Sequence, residues 1–237
     1  DFSLSHNREK IKELASGQLK DEANAWFVGE PFKVFYDYKK EGIWQLGEEA
    51  AAAANGQEPG DIKVQDVDGN GVITTDDRII YSQRPDVTFG FNNTFNYKGF
   101  DLSVFLYARL GQWIAYDYNT TYRINALENG GNVDYWTPEN PTNAFPRPNK
   151  SKSYTQVTYY STLKYEDGSF FKIRDITLGY TFKPELLKHL NLSKLRVYAT
   201  AKNFFTFSKI DNYDPEQGGS ISFPMTKQLV FGLNVEF

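Results

Sequence analysis

Cysteine is absent from the 237 residues, which excludes disulfides, thiolate metal sites and thiol nucleophiles. Methionine occurs once, and the two histidines, His6 and His189, lie far apart in sequence. There is no His-Glu-x-x-His, no Gly-x-Ser-x-Gly and no phosphate-cradling glycine loop. Carboxylates are plentiful, but none forms an acid–base pair recognisable by spacing, and the chain reads as a non-enzyme. A formal net charge of −4 is too modest to point to a nucleic-acid partner. No apolar run approaches the roughly 18 residues of a spanning helix. Mean hydropathy is −0.56, which taken alone argues for a water-soluble chain. A barrel strand escapes both tests, because only its alternate residues face lipid. The start, Asp1-Phe2-Ser3-Leu4, carries no initiator Met and no basic or apolar leader. It reads as a cut inside a larger protein, with a trimmed secreted domain as the alternative.

What the chain has is aromatic residues, 19 Phe and 16 Tyr, arranged with period two. Leu229, Phe231, Leu233, Val235 and Phe237 alternate with Gln228, Gly232, Asn234 and Glu236, with Val230 the exception. Val87, Phe89 and Phe91 alternate with Thr88, Gly90 and Asn92, and Phe95 and Tyr97 continue the apolar phase. Beyond Lys98-Gly99 the phase restarts as Phe100, Leu102, Val104, Leu106 and Ala108. Ile176, Leu178, Tyr180 and Phe182 form another stripe, and Leu195, Val197, Ala199 and Ala201 a fourth. Each stripe is about as long as a tilted spanning strand requires, and each opposite face is mainly polar or small. A soluble β-sandwich pairs apolar and polar faces too, so the connections must decide.

Those connections are lopsided. Short links lie at 98–99, a tight hairpin, and at 183–194, where Pro184 begins a brief helical turn with Leu186, Leu187 and Leu190 on one side. Long links run over 111–168 and 208–226. Alternating short and long connections are the pattern of transmembrane barrels, with short periplasmic turns and long outer loops. The expectation is therefore an all-β fold: an antiparallel transmembrane β-barrel segment with long extracellular loops. Residues 1–237 form a C-terminal portion of one barrel domain. With Phe237 on the periplasmic side, the loops at 111–168 and 208–226 and the region before Val87 fall outside. Phe237, a terminal aromatic closing an alternating strand, reads as an assembly signal for the outer membrane. In the first quarter Phe2, Leu4 and His6 end a strand, and residues 9–20 are helical or loop-like. Residues 31–38 and Ile43-Trp44 are expected to form a hairpin, and 50–54 a helical turn.

One constellation carries metal chemistry. Residues 66–77 match an EF-hand-type loop, with Asp66, Asp68 and Asn70 at positions one, three and five. Gly71 at position six permits the sharp turn that presents the Val72 carbonyl, and Ile73 at position eight anchors the loop. Position twelve is Asp77 in place of the usual bidentate Glu, which leaves room for more water or for magnesium. Thr74 at position nine can contribute directly or through water. The metal set is thus Asp66, Asp68, Asn70, Val72 and Asp77, the cofactor a divalent cation, with calcium ahead of magnesium and a structural role ahead of a sensor. Tyr135-Trp136 and Tyr159-Tyr160 offer rings that can stack on sugars, but interface anchoring or loop packing is the simpler use.

Several stretches together resemble the C-terminal region of SusC/RagA-type TonB-dependent transporters. These are Gly60-Asp61-Ile62-Lys63-Val64-Gln65-Asp66 before the metal-type loop, and Asn96-Tyr97-Lys98-Gly99-Phe100-Asp101. The most distinctive is Trp136-Thr137-Pro138-Glu139-Asn140-Pro141-Thr142-Asn143, followed by Pro146-Arg147. Asp167-Gly168-Ser169-Phe170-Phe171-Lys172-Ile173-Arg174-Asp175, Lys202-Asn203-Phe204-Phe205-Thr206 and Asp214-Pro215-Glu216 complete the set. Phe170-Phe171 departs from the Tyr-Leu or Phe-Leu frequent in the family. The resemblance implies a large plugged barrel in the outer membrane of a Bacteroidetes-type Gram-negative bacterium. It implies import of glycans or peptides, a SusD-like surface lipoprotein as lid, and TonB acting through a missing N-terminal part. About six strands cannot close a barrel of this class, so the chain is expected to be one piece of it. The competing reading is a calcium-binding cell-surface adhesin or binding module with a β-barrel or β-sandwich fold.

Overall fold

The computed structural model describes residues 1–15, 17–125, 130–188 and 191–237. His189 and Leu190 lie outside the described residues. Fourteen strands are seen among the described residues. They are β1 (Phe2–Ser5), β2 (Lys20–Asp21), β3 (Trp26–Phe27), β4 (Val34–Tyr38), β5 (Lys40–Ile43), β6 (Ile62–Val64) and β7 (Arg78–Ser82), then β8 (Val87–Tyr97), β9 (Phe100–Leu110), β10 (Trp113–Ala115), β11 (Tyr165–Asp167), β12 (Phe170–Thr181), β13 (Lys194–Ser208) and β14 (Gln228–Glu236). Two short α-helices accompany them among the described residues, α1 (Glu49–Ala54) and α2 (Pro184–Leu187).

Six strands make one antiparallel sheet in the order β1-β8-β9-β12-β13-β14. Its register puts the period-two stripes side by side. Phe91 and Ile173 flank Leu106, Phe95 and Leu178 flank Leu102, and Leu178 and Phe231 flank Ala199. A one-residue slip anywhere would break this face, so the pattern itself specifies the register. A bulge between Ile173 and Asp175 absorbs Arg174 without losing the phase, which resumes at Ile176. The apolar face is open to the surroundings: Leu178 is 52%, Phe95 59% and Phe231 77% exposed. Such a contiguous patch has no place in water. No helix among the described residues is long and apolar enough to cross a membrane.

The turn end of the sheet is compact. Lys98 and Gly99 both have positive φ, which a two-residue hairpin matched to strand twist demands. A Cβ on Gly99 would come 2.8 Å from the Thr181 carbonyl oxygen. Pro184 opens α2 at its first turn, as expected, and Leu187 is buried. On the polar face, the absence of a side chain at Gly179 lets Arg196 reach over β12 to Asp101 at 2.5 Å. Gly232 lies beneath the Tyr198 ring in the same way.

The opposite end carries three long connections that fold into a cap. Ribbon β10–β11 extends the β9–β12 pair past Gly111, whose φ is +80°. Ribbons β4–β7 and β5–β6 pack with it, and Ile43, Ile62, Val64, Trp136 and Leu163 form the cap's core. A second cluster joins Ile114, Tyr116 and Ile210. Burial is inverted relative to a soluble protein, with the apolar core in the loops and exposed apolar residues on the strands.

One expectation needs correction. Residues 31–38 and 43–44 do not pair with each other: β4 pairs with β7, and β5 with β6. Only Lys39 separates β4 from β5, so there is no room for the chain to fold back. Of the two readings of 9–20, the loop-like one holds: among the described residues they carry an isolated bridge, Ile11 to Val28, and the start of β2. The strand at Phe2 and Leu4 and the helix near 50–54 match the sequence reading.

Candidate functional site

The loop at 66–77 joins β6 to β7 on the cap. Its Asx turns follow from the spacing of short carboxylates. Asp66 accepts the backbone N–H groups of Gly69 and Gly71 at 2.7 and 2.8 Å, and Asp68 accepts that of Asn70 at 3.0 Å. Gly69 and Gly71 both take positive φ, and Gly71 at position six makes the turn the motif requires. Asp66, Asp68 and Asp77 each bring one oxygen into a group whose members all lie within 4.8 Å of one another. Oxygens that far apart can sit around one cation at about 2.4 Å, within the calcium range. The donor set therefore fits a hard divalent ion.

The other two sequence candidates are placed differently. Asn70 spends its amide on Asp68, donating from Nδ2 at 2.8 Å, and its Oδ1 accepts from the Val72 N–H at 2.7 Å. Val72 itself is 55% exposed. Asp77 is fully buried, and its two oxygens accept from Val67 and Thr74 N–H groups, each at 2.7 Å. With Thr74 it forms a capping box on the single turn 75–77. This explains Asp in place of Glu at position twelve: the shorter chain reaches the local amides. Those amides, Thr74 first, hold the Asp77 carboxyl below its ordinary range, and burial opposes them. The loop is tied to α1 by a contact the motif did not announce, Ile73 N–H to Asn55 Oδ1 at 3.1 Å. Phe237, the assembly candidate, follows β14 and is 94% exposed.

Around this loop the cap is held by residues whose role sequence reasoning left open. Trp136 is 4% exposed and donates its indole N–H to Gln45 Oε1 at 2.8 Å. Asn143 Oδ1 accepts the Ile43 N–H at 2.9 Å. The motif 136–143 is thus a clasp on β5, and Trp136 packs the core instead of stacking on a ligand. At the sheet's loop end Lys172 is fully buried between Asp214 at 2.6 Å and Glu216 at 2.7 Å. Arg174 meets the second Glu216 oxygen at 3.1 Å. Asp214-Pro215-Glu216 therefore pins the last long connection to β12.

No protein-family model matches the chain. It is similar to TonB-dependent receptor P3 of Formosa agariphila, at 30% identity over 273 residues covering 100% of this chain and 26% of that protein. It is similar also to TonB-dependent receptor SusC of Bacteroides thetaiotaomicron, at 31% identity over 181 residues, 73% of this chain and 17% of that one. Among solved structures, the RagAB peptide importer in its open-open state overlays all of this chain with TM-score 0.70 at 25% identity, using 26% of its own length. The chain belongs to the SusC/RagA type of TonB-dependent receptors. It spans about a quarter of the length of P3. As part of a SusC/RagA-type barrel, its exposed stripes face outward and its Asp101–Arg196 face inward. The free edges of β1 and β14 are then the seams to the remaining strands.

Proposed function

We propose that the parent polypeptide is an outer-membrane importer of glycans or peptides, energised through TonB and capped by a SusD-like surface lipoprotein. The carrying observation is the apolar face, in register across six strands and exposed along its length, with all three long connections gathered at one end. In this reading the turns at 98–99 and 183–194 face the periplasm and the cap faces outward, where the lipoprotein docks. The cation loop at 66–77 lies in the cap and holds one divalent ion, calcium ahead of magnesium. Three carboxylates in one tight loop repel one another, and a cation offsets that repulsion. An outward position suits a module of weak affinity, about 10⁻⁴–10⁻³ M. Phe237 serves recognition by the barrel-assembly machinery.

The test is made on the tagged parent in its native host. It should fractionate with the outer membrane, require detergent for extraction and co-purify with a lipoprotein. Deleting its gene should abolish uptake of at least one glycan or peptide, and so should loss of TonB. A parent protein that purifies from the soluble fraction without detergent contradicts the reading.

A further inference from the structure

The cap holds a half-open cavity of about 360 Å³ between the β4–β7 ribbon and β10–β11. Of the charged residues that line it, Lys40 on β5 and Glu166 on β11 come from different ribbons, whereas Lys39 is exposed and Glu41 lies 3.9 Å from Lys63. Lys40 Nζ donates to the Ala144 carbonyl at 2.6 Å, which uses one of its three N–H groups. Glu166 Oε1 accepts from Asn119 Nδ2 at 2.9 Å, and among the described residues no donor reaches its other oxygen. No ion pair joins Lys40 to Glu166 within 4.0 Å. Nearby Asp167 is already matched by Lys209 at 3.0 Å. Burial dominates at both groups, lowering the pKa of Lys40 and raising that of Glu166, and each charge partly offsets the effect on the other. They interact across the cavity without touching. Half-buried charges with unused donors and acceptors are poorly solvated and gain from a ligand that bridges them.

Part of the wall is aromatic. Tyr81 donates its hydroxyl to the Tyr38 carbonyl and Tyr165 to Asp37, so they offer rings, with Trp113 packed edge-on against Tyr81. A sugar would find few free polar partners on these rings. A molecule with separated charges would find Lys40 and Glu166, neither of them in an ion pair, whereas Asp167 and Glu41 already have lysine partners. The volume lies at the low end for ligand pockets, about 300–1,000 Å³, and suits something of amino-acid size. We propose that this cavity binds a small zwitterion, its carboxylate on the free N–H groups of Lys40 and its ammonium on Glu166. The site stands apart from the transport reading: a barrel of either substrate class can carry it.

The experiment is calorimetry on the full-length, detergent-purified parent. The probes are glycine, β-alanine and γ-aminobutyrate, which differ in the span between their charges, with glucose as the neutral control. At least one zwitterion should bind saturably and glucose should not. Glu166→Gln and Lys40→Met should each weaken that binding at least tenfold. Propionate, which lacks the ammonium, should bind wild type at least tenfold more weakly than β-alanine, but lose little further in Glu166→Gln. This ligand-side comparison needs only the near-isosteric variant, so it decides even where Lys40→Met does not fold. The absence of saturable zwitterion binding overturns the proposal. So does equal binding by wild type and both variants, or binding of glucose with the zwitterions inert.

Discussion

Gly60 shows how much one missing side chain can determine. It sits at φ +90° before β6, and a Cβ there would lie 2.7 Å from both the Trp136 ring and the Arg147 side chain. Gly60→Ala combines left-handed strain with overpacking and should cost roughly 2–4 kcal/mol within the cap. Hydrogen exchange on the parent would register this as faster exchange at Ile43 and Ile62 with the barrel strands unchanged. The cation loop makes a second expectation. Asp66→Ala with Asp68→Ala should loosen 66–77 and abolish any calcium-dependent rise in the parent's melting temperature, leaving the barrel folded. An equal calcium response in wild type and variant would refute the ion. The same loop has an acid limit. Asp77 has its folded-state pKa held below the ordinary 3.8, so its contribution is present above that value and is lost as pH falls through the lowered one. The spacing made Asp66, Asp68 and Asp77 legible as a set. It could not reveal that Asp77 also caps a turn, or that Asn55 holds the loop from outside, because those contacts depend on where α1 lands.

Among the elements, the last connection and β14 carry the next expectations. Lys172→Met removes the only cation that lies buried between Asp214 and Glu216 among the described residues. Leaving two carboxylates without it should cost about 3–5 kcal/mol, concentrated in residues 209–227. Limited proteolysis of the folded parent should find new cuts in that segment and none in the strands. Phe237 lies just beyond β14, whose register with β13 runs from Lys202↔Gln228 to Lys194↔Glu236. Phe237→Lys should lower the amount of folded parent in outer-membrane fractions with little effect on uptake per folded molecule. Wild-type levels would count against the assembly role. The long strands were legible because each keeps an alternation over most of its length, with breaks such as Val230 and the bulge after Ile173. The short ribbons β4–β7 and β5–β6 were not, since each strand pairs with one far along the chain and offers too few residues for a period to show.

At the scale of the whole molecule, the two kinds of burial set the behaviour. The cap has its own apolar core, whereas the sheet turns Phe, Leu and Val outward and leaves β1 and β14 with open edges. Expressed alone in water, the 237 residues should aggregate, and detergent or lipid should be needed to keep them dispersed. A sharp, reversible melt of a soluble monomer would contradict the membrane face and favour a sandwich.

The alternation of apolar and polar residues by itself determined the strand class and which side chains share the apolar face of each long strand, because side chains in a strand have a period of two. The uneven connections likewise determined which ends carry loops. Tertiary structure alone decided that the distinctive segment 136–143 is a clasp, that Lys172 anchors Asp214 and Glu216, and that Lys40 and Glu166 line one cavity. These contacts join residues brought near only when three separate connections fold over one another, and no local pattern encodes which side chains will then meet.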